Sequence, residues 1–261
     1  MRQHLSLEER SYLSERYGLR LQDDPRPCLR SITAMELLDR AACESYLDWL
    51  GDYIGSPTRQ ATASTLVKRY AAIAVSPALY SMTVNNKGLT LELEHCLLET
   101  PELPEHNPLG TKLPYLSVSS YGISLPAPDQ RRNWREHTVR ELFAGHLTPL
   151  IRSLSEIARV SKMILWENAL VRMVPLFKEA IDSAEDPTAA ARIREDFRYI
   201  AREAPGELFG ERRNPLSALV ESTGMDPEGD YKHRLRRTCC LYYKVSAEYC
   251  RQCPLPQESR E

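Results

Sequence analysis

The sequence predicts a mainly α-helical protein with a small antiparallel β element, an α+β chain that ends in a cysteine-bearing segment. Three observations carry this expectation. Helix-start signatures precede apolar stripes at helical spacing in the first part of the chain; the apolar period shortens to two between about residues 82 and 125; and from Asn133 to Ala204 stripes at three-to-four spacing run almost unbroken. With 261 residues, 42% hydrophobic and 27% charged, the chain has a globular composition and is long enough to bury a sizeable core.

Ser6-Leu7-Glu8-Glu9 is a capping-box pattern, a hydroxyl followed three residues later by a glutamate that can reach back, and Gly18 supplies a stop after Tyr17. Pro25 and Pro27 mark a loop. Thr33-Ala34-Met35-Glu36 repeats the box and is expected to open a second helix with Leu37, Leu38, Ala41, Ala42, Tyr46, Leu47 and Leu50 on its apolar face. A third helix is expected from about Thr58, with Leu66, Tyr70, Ile73 and Ala74 at helical spacing, ended or kinked by Pro77.

Met82-Thr83-Val84 and Leu89-Thr90-Leu91-Glu92-Leu93 alternate on either side of Asn85-Asn86-Lys87-Gly88, which predicts strand, turn and strand. Pro101, Pro104, Pro108 and Pro114 predict a loop over 100–114, and Tyr115 to Leu125 alternates again as a third strand. In the long helical run Val139, Leu142, Phe143 and Leu147 form one stripe and Leu150, Leu154, Ile157 and Ala158 another, punctuated by Pro149, Pro175 and Pro187. Asn214-Pro215 reads as the N-cap and first turn of a short helix. The expected division is 1–130, helices with a small β region; 131–228, a helical region; and 229–261, a C-terminal segment that begins at the Gly224–Gly229 boundary.

Thirty-four basic against 36 acidic side chains give a net charge of -2, which excludes a generally basic nucleic-acid binder. The longest apolar runs, Ala71 to Val75 and Met163 to Trp166, fall far short of the roughly 18 residues that cross a bilayer, so no transmembrane segment is expected. The N-terminus lacks a basic region followed by an apolar run, and a cytoplasmic location with reduced thiols is expected. No Gly-rich nucleotide loop, H-E-x-x-H pair, nucleophile elbow or catalytic triad motif is present, and the six histidines are scattered.

The cysteines carry the chemistry. Cys28, Cys43 and Cys96 are isolated and read as buried bystanders. Cys239 and Cys240 are followed, after nine residues, by Cys250-Arg251-Gln252-Cys253-Pro254. Four soft sulfur donors in fifteen positions suit zinc, copper(I) or an iron–sulfur cluster. Two adjacent thiolates converge on one tetrahedral ion only with difficulty and serve a binuclear cluster more easily. Lys232, Arg234, Arg236, Arg237 and Lys244 surround the first pair with no acidic residue among them, a cationic setting for an anionic cluster or an anionic ligand.

This motif resembles that of the FhuF-like ferric-siderophore reductases, whose C-terminal C-C-x10-C-x2-C binds a [2Fe–2S] cluster; the gap here is nine residues, one shorter. Lys68-Arg69-Tyr70 through Pro77-Ala78-Leu79, and Trp166-Glu167-Asn168-Ala169, resemble segments of the same family. The resemblance implies a helical region related to the C-terminal domain of siderophore synthetases. It implies that Cys239, Cys240, Cys250 and Cys253 ligate [2Fe–2S], which passes single electrons to a cytosolic ferric siderophore and releases Fe(II). A separate electron donor, such as a ferredoxin or flavin reductase system, is expected because no flavin or nicotinamide motif is present. Lys232, Arg236, Arg237, Arg140, His146, Trp166 and Arg172 are the candidate siderophore contacts, the cations for charge and the aromatics for apolar arms. The alternatives are a zinc-stabilised binding protein, and an iron or redox sensor without turnover.

Overall fold

A computed structural model describes residues 4–21, 27–107 and 109–255; Pro25 and Pro108 of the two expected loops lie outside the described residues. Nine α-helices are described: α1 (Leu7–Tyr17), α2 (Arg40–Ile54), α3 (Arg59–Tyr70), α4 (Ser76–Thr83), α5 (Arg131–Leu142), α6 (Thr148–Ala158), α7 (Lys162–Asp182), α8 (Pro187–Arg198) and α9 (Ser217–Thr223). Six short strands accompany them: β1 (Leu19–Arg20), β2 (Cys28–Thr33), β3 (Gly88–Thr90), β4 (Cys96–Pro101), β5 (Tyr115–Val118) and β6 (Gly122–Ser124). The protein is mainly helical with a small β element, in which a four-stranded sheet runs β1-β5-β4-β2 and a ribbon pairs β3 with β6. All pairs are antiparallel except β1 with β5.

The first helix follows its sequence signals. Ser6 accepts from Glu9 N at 3.1 Å, Glu9 returns the bond to Ser6 N, and Gly18 closes the helix at φ +70°. The Thr33–Glu36 box also forms, with Thr33 N donating to Glu36 at 2.8 Å and Glu36 N to Thr33 Oγ1 at 3.1 Å. It closes only a 3₁₀ turn, however. The second helix starts at Asp39, whose backbone is extended and whose carboxylate accepts from Ala42 N at 2.9 Å.

Pro77 neither ends nor breaks the third helix. A π turn over Ala71–Val75 carries α3 into α4, with Ser76 N donating to Ala71 O. The same device recurs at Phe143–Leu147 before Pro149 and at Tyr199–Glu203 before Pro205. Each π turn widens the helix by one residue just before a proline, which has no N–H to donate and whose ring crowds the preceding turn. Pro175 lies inside α7 without ending it.

The expected strand at Met82-Thr83-Val84 is instead the end of α4, with Val84 N donating to Tyr80 O at 2.9 Å. Its β-branched composition is overridden by continuation of the helix and by burial of Met82 and Thr83 in the core. The strand beginning at Gly88 therefore has no hairpin partner and pairs with β6, Leu89 opposite Ile123. The single strand expected over 115–125 is divided between the two sheets. β4 extends into the expected 100–114 loop: apart from Leu97 its residues are all buried, so it shows no polar alternation.

Helices α4, α5 and α8 are tied by a buried charge. Asp196, fully enclosed, accepts from Arg131 at 2.9 and 2.7 Å, from Arg135 at 3.0 Å and from Thr83 at 2.9 Å. Asn214 anchors the loop before α9, donating to Ile200 O and Ala204 O and accepting from Leu216 N. One apolar core runs from Leu5 to Met225; Cys240, Cys250 and Cys253 form a second, small cluster with Tyr242, Tyr249 and Leu255 against it. Among the described residues no helix is long and apolar enough to cross a membrane.

Candidate metal centre

Two helices build the floor on which the cysteine segment rests. Ser64 and Lys68 lie one turn apart on α3, and Asn168 and Arg172 one turn apart on α7, beside Glu167. Asn168 Nδ2 donates to the Ser64 carbonyl and hydroxyl, both at 2.9 Å, and Ser64 Oγ donates to Cys240 O at 2.7 Å. Glu167 is completely buried and accepts from Arg237 N at 2.6 Å, from Thr238 N at 2.9 Å, from the Thr238 hydroxyl and, at 3.4 Å, from Arg236 Nη2. One carboxylate thus fixes the three residues that lead into Cys239.

The segment holds itself together with few backbone bonds. Arg236 N donates to Gln252 O at 2.9 Å and Gln252 Nε2 to Tyr231 O at 2.7 Å, which brings the two cysteine pairs together. Cys253 N donates to Cys250 O at 3.0 Å, closing the C-x2-C turn. Leu241 takes a left-handed conformation at φ +61°, which side chains other than glycine rarely adopt, and its N–H reaches Cys239 Sγ at 3.4 Å. Tyr243 and Tyr249 stack at 5.7 Å.

Charge converges on the buried thiols. The Cys250 thiol donates to Cys240, whose pKa is pushed down by that bond and by the Arg236 and Lys68 charges, with Tyr242 N also donating to it. The Cys250 pKa rises correspondingly, through the same bond and through burial. Burial raises that of Cys239. Burial lowers the Lys68 pKa while Cys240 opposes it; the surrounding protein and the Arg236 charge lower that of Arg172. Arg236 is 3% exposed, and its Nε and Nη1 have no acceptor among the described residues. Arg236, enclosed against Glu167, the half-buried Lys68 and the exposed Arg172 together set positive charge around the Cys240 sulfur and its Cys250 thiol partner.

Among the described residues, the one set of three His, Cys, Asp or Glu donor atoms mutually within 4.8 Å is the surface group Glu92, Glu94 and His95. The four cysteine sulfurs do not converge on a single point, as a mononuclear tetrathiolate site requires: bonds of about 2.3 Å put its sulfurs about 3.8 Å apart.

The other candidate contacts are spread more widely. Arg237 and Lys232 are exposed beside the cysteines, and Arg140 is exposed and paired with Glu207 at 3.6 Å. His146 is enclosed in the core, bonded to Leu91 O at 2.6 Å through Nδ1 and to the Tyr70 hydroxyl at 2.7 Å through Nε2, so neither ring nitrogen is free for a ligand. Trp166 packs in the core edge-on to Phe209 at 6.0 Å. Cys43 and Cys96 are buried thiols whose pKa values burial pushes up to about 12. Sequence reasoning did not select Ser64, Lys68, Glu167 or Asn168 individually; the last three lie in the segments Lys68-Arg69-Tyr70 and Trp166-Glu167-Asn168-Ala169, while Ser64 carried no signal.

Residues 64–226 match the family described as "Ferric iron reductase FhuF-like transporter". The chain belongs to this FhuF-like ferric iron reductase family, and the match opens at Ser64, spans Glu167 and ends before the cysteines. Among solved structures, the chain is similar to the aerobactin synthetase IucC from a hypervirulent pathotype of Klebsiella pneumoniae (TM-score 0.49, 15% identity, 74% of this chain and 37% of that one). It is similar also to the ATP-bound aerobactin synthetase IucA from a hypervirulent pathotype of that organism (TM-score 0.49, 15% identity, 81% of this chain and 49% of that one). The chain thus spans less than half the length of either synthetase. No curated protein sequence matches it.

Proposed function

We propose that the chain is a cytosolic ferric-siderophore reductase in which Cys239, Cys240, Cys250 and Cys253 ligate a [2Fe–2S] cluster, with 229–261 as the cluster segment and 131–228 contributing to the siderophore site. The observation that carries this reading is the buried Arg236 with two unpartnered nitrogens beside the cysteines, in a chain of the ferric iron reductase family. A buried cation without an acceptor is costly unless an anion completes it. Arg236 against Glu167, with Lys68 and Arg172 acting on the Cys240 sulfur from the two helices, makes a cationic setting for the doubly negative oxidised [2Fe–2S] centre that four thiolates would hold. Sulfurs that do not converge on one point also suit a binuclear group better than a single zinc ion.

When bound, such a cluster supplies one electron at a time. The work of this chain is to hold, tune and exclude. Glu167 fixes the backbone of Arg237 and Thr238, so that Cys239 and Cys240 present their sulfurs together. Leu241 N and Tyr242 N donate to cysteine sulfur, and the buried Arg236 with its neighbour Lys68 favours added negative charge; both effects raise a reduction potential. The ferric chelate is the substrate: its hard oxygen donors favour Fe(III), so one added electron loosens the iron without breaking a covalent bond. Electrons enter from a separate donor protein or reductase. Exposed Lys232, Arg237 and Arg251, none ion-paired among the described residues, belong to the same segment as the half-buried Cys239 and offer docking charges for an acidic partner.

Anaerobically purified protein is expected to absorb in the visible, bleach with dithionite and contain iron and sulfide in equal amounts. The spectrum is lost in Cys240→Ser and kept in Cys43→Ser. Colourless, iron-free protein after anaerobic reconstitution overturns the reading; zinc bound by the same cysteines establishes the structural alternative instead.

A further inference from the structure

A second cationic feature lies one helical position away from the cysteine anchor. Trp166, adjacent to Glu167 on α7, lines a cavity of about 380 Å³ together with Lys162, Glu211, Arg212, Arg213 and Pro215. The ring of Trp166 is 3% exposed and clamped by Phe143 and Phe209, yet its indole N–H meets no acceptor among the described residues and is not sealed from solvent. A single wall therefore offers a rigid apolar edge and an idle donor.

The opposite wall is a loop whose backbone is fixed while its arginines are not. Gly206 lets this loop fold on itself: a Cβ there would meet Arg213 N and Glu211 O at 2.5 Å. Glu211 N donates to Gly206 O at 2.9 Å, Arg152 binds Gly210 O, Thr148 binds Phe209 O at 2.7 Å, and Asn214 binds the carbonyls of Ile200 and Ala204. Glu211 is engaged by Arg152 and Lys162, each at 3.4 Å, and so is neutralised. Arg212 and Arg213 are exposed and form no ion pair or side-chain hydrogen bond among the described residues. Uncommitted positive donors on a fixed loop beside an apolar edge make a site for an anion with an apolar body, and the cavity is much larger than a simple inorganic anion requires.

We infer that this cavity binds the ferric chelate, and that the chelates it favours carry net negative charge on catecholate or carboxylate oxygens. The guanidinium groups of Arg212 and Arg213 and the Trp166 N–H would take the outward oxygens, and Pro215 with the arginine stems the organic arms. The inference rests on the reductase reading for the identity of the ligand, and it replaces most of the scattered cations expected from the sequence with one built site. Through Glu167, the next residue of α7, the same helix holds the cavity and the cysteine segment in a fixed relation.

The test uses redox-inert gallium(III) chelates, so that binding is read without turnover. Calorimetry on the cluster-loaded protein is expected to show a trianionic gallium tricatecholate binding more tightly than a neutral gallium trihydroxamate, with affinity falling as salt rises. The double variant R212E/R213E is expected to weaken the tricatecholate at least tenfold more than the neutral chelate, with the visible spectrum unchanged. Trp166→Phe, which keeps the ring packing and removes the N–H, is expected to weaken it severalfold. Equal affinity for the tricatecholate in R212E/R213E, with an unaltered circular dichroism spectrum, overturns the site; tighter binding of the neutral chelate overturns the charge class. A colourless protein that still binds the tricatecholate through these arginines would sink the cluster reading and leave this site standing.

Discussion

Among the described residues two carboxylates, Glu167 and Asp196, are wholly buried, and they do different work. Asp196 takes bonds from Arg131, Arg135 and Thr83, ties three helices, and leaves a single arginine nitrogen, Arg135 Nε, without an acceptor, on a guanidinium lying over the Tyr199 ring at 4.1 Å. Glu167 takes two backbone N–H groups, a hydroxyl and one arginine nitrogen, and leaves two nitrogens of Arg236 idle next to thiols. The first knot is nearly closed on itself and serves the fold. The second is open on one side and anchors a segment that has little secondary structure of its own. A buried acid that is fully reciprocated marks architecture; one that leaves its cation underused marks a place where something negative belongs.

The largest expected effect falls on the closed knot. Asp196→Ala leaves two arginines without their buried partner and is expected to cost about 3–5 kcal/mol, read as a lower denaturant midpoint for the helical signal. Next comes His146, another closed polar group. Burial lowers its pKa to about 4 in the folded protein, against about 6.5 in an unfolded chain, so between those values the unfolded chain binds the proton more readily. The contribution of neutral His146 is complete above about pH 6.5 and is lost as pH falls towards 4, by about 3 kcal/mol. His146→Gln should flatten unfolding free energy across that window, and an unchanged slope would remove His146 as its cause.

On the open side, Glu167→Gln turns an amide donor towards backbone donors. It is expected to lower iron content and speed amide exchange over 231–255, while the helical body keeps its stability to within about 1 kcal/mol. A loss of global stability equal to that of Asp196→Ala would erase the distinction between the two carboxylates. Arg236→Met removes the underused cation and is expected to lower the midpoint potential of the reconstituted protein in a redox titration; an unmoved midpoint breaks the electrostatic account. The smallest effect is expected from Leu241→Gly, where relief of the left-handed backbone stabilises the segment by about 1 kcal/mol or less, with the visible spectrum intact.

These contrasts also show what the sequence could and could not convey. The capping boxes at Ser6 and Thr33 are both real, because cap chemistry is local; only the reach of the second was misjudged, since Asp39 three residues beyond Glu36 is the better cap. The strand expected at Met82 failed because β-branched residues at a helix end carry the same composition as a strand. β4 escaped notice because a strand buried on both faces shows no alternation. At the site, cysteine spacing was legible from the chain alone, since soft ligands cluster in sequence. The partners on α3 and α7 were not: Ser64 and Glu167 are more than a hundred positions apart, and each reads as an ordinary helical residue until the two helices pack.

The π turn at Ala71–Val75 makes the rod from Arg59 to Thr83 keep two appointments at once. Ser64 and Lys68 face the thiols before the turn, and Leu79 and Met82 face the core after it. One helical residue is worth about 100° of rotation. Loss of a single codon within that turn would therefore swing one half of the rod against the other, leaving every site residue in the chain and pointing Ser64 away from Cys240. The phase of this helix is as much a part of the site as any side chain on it, and a gene can lose the activity by a change that a comparison of residue identities would score as harmless.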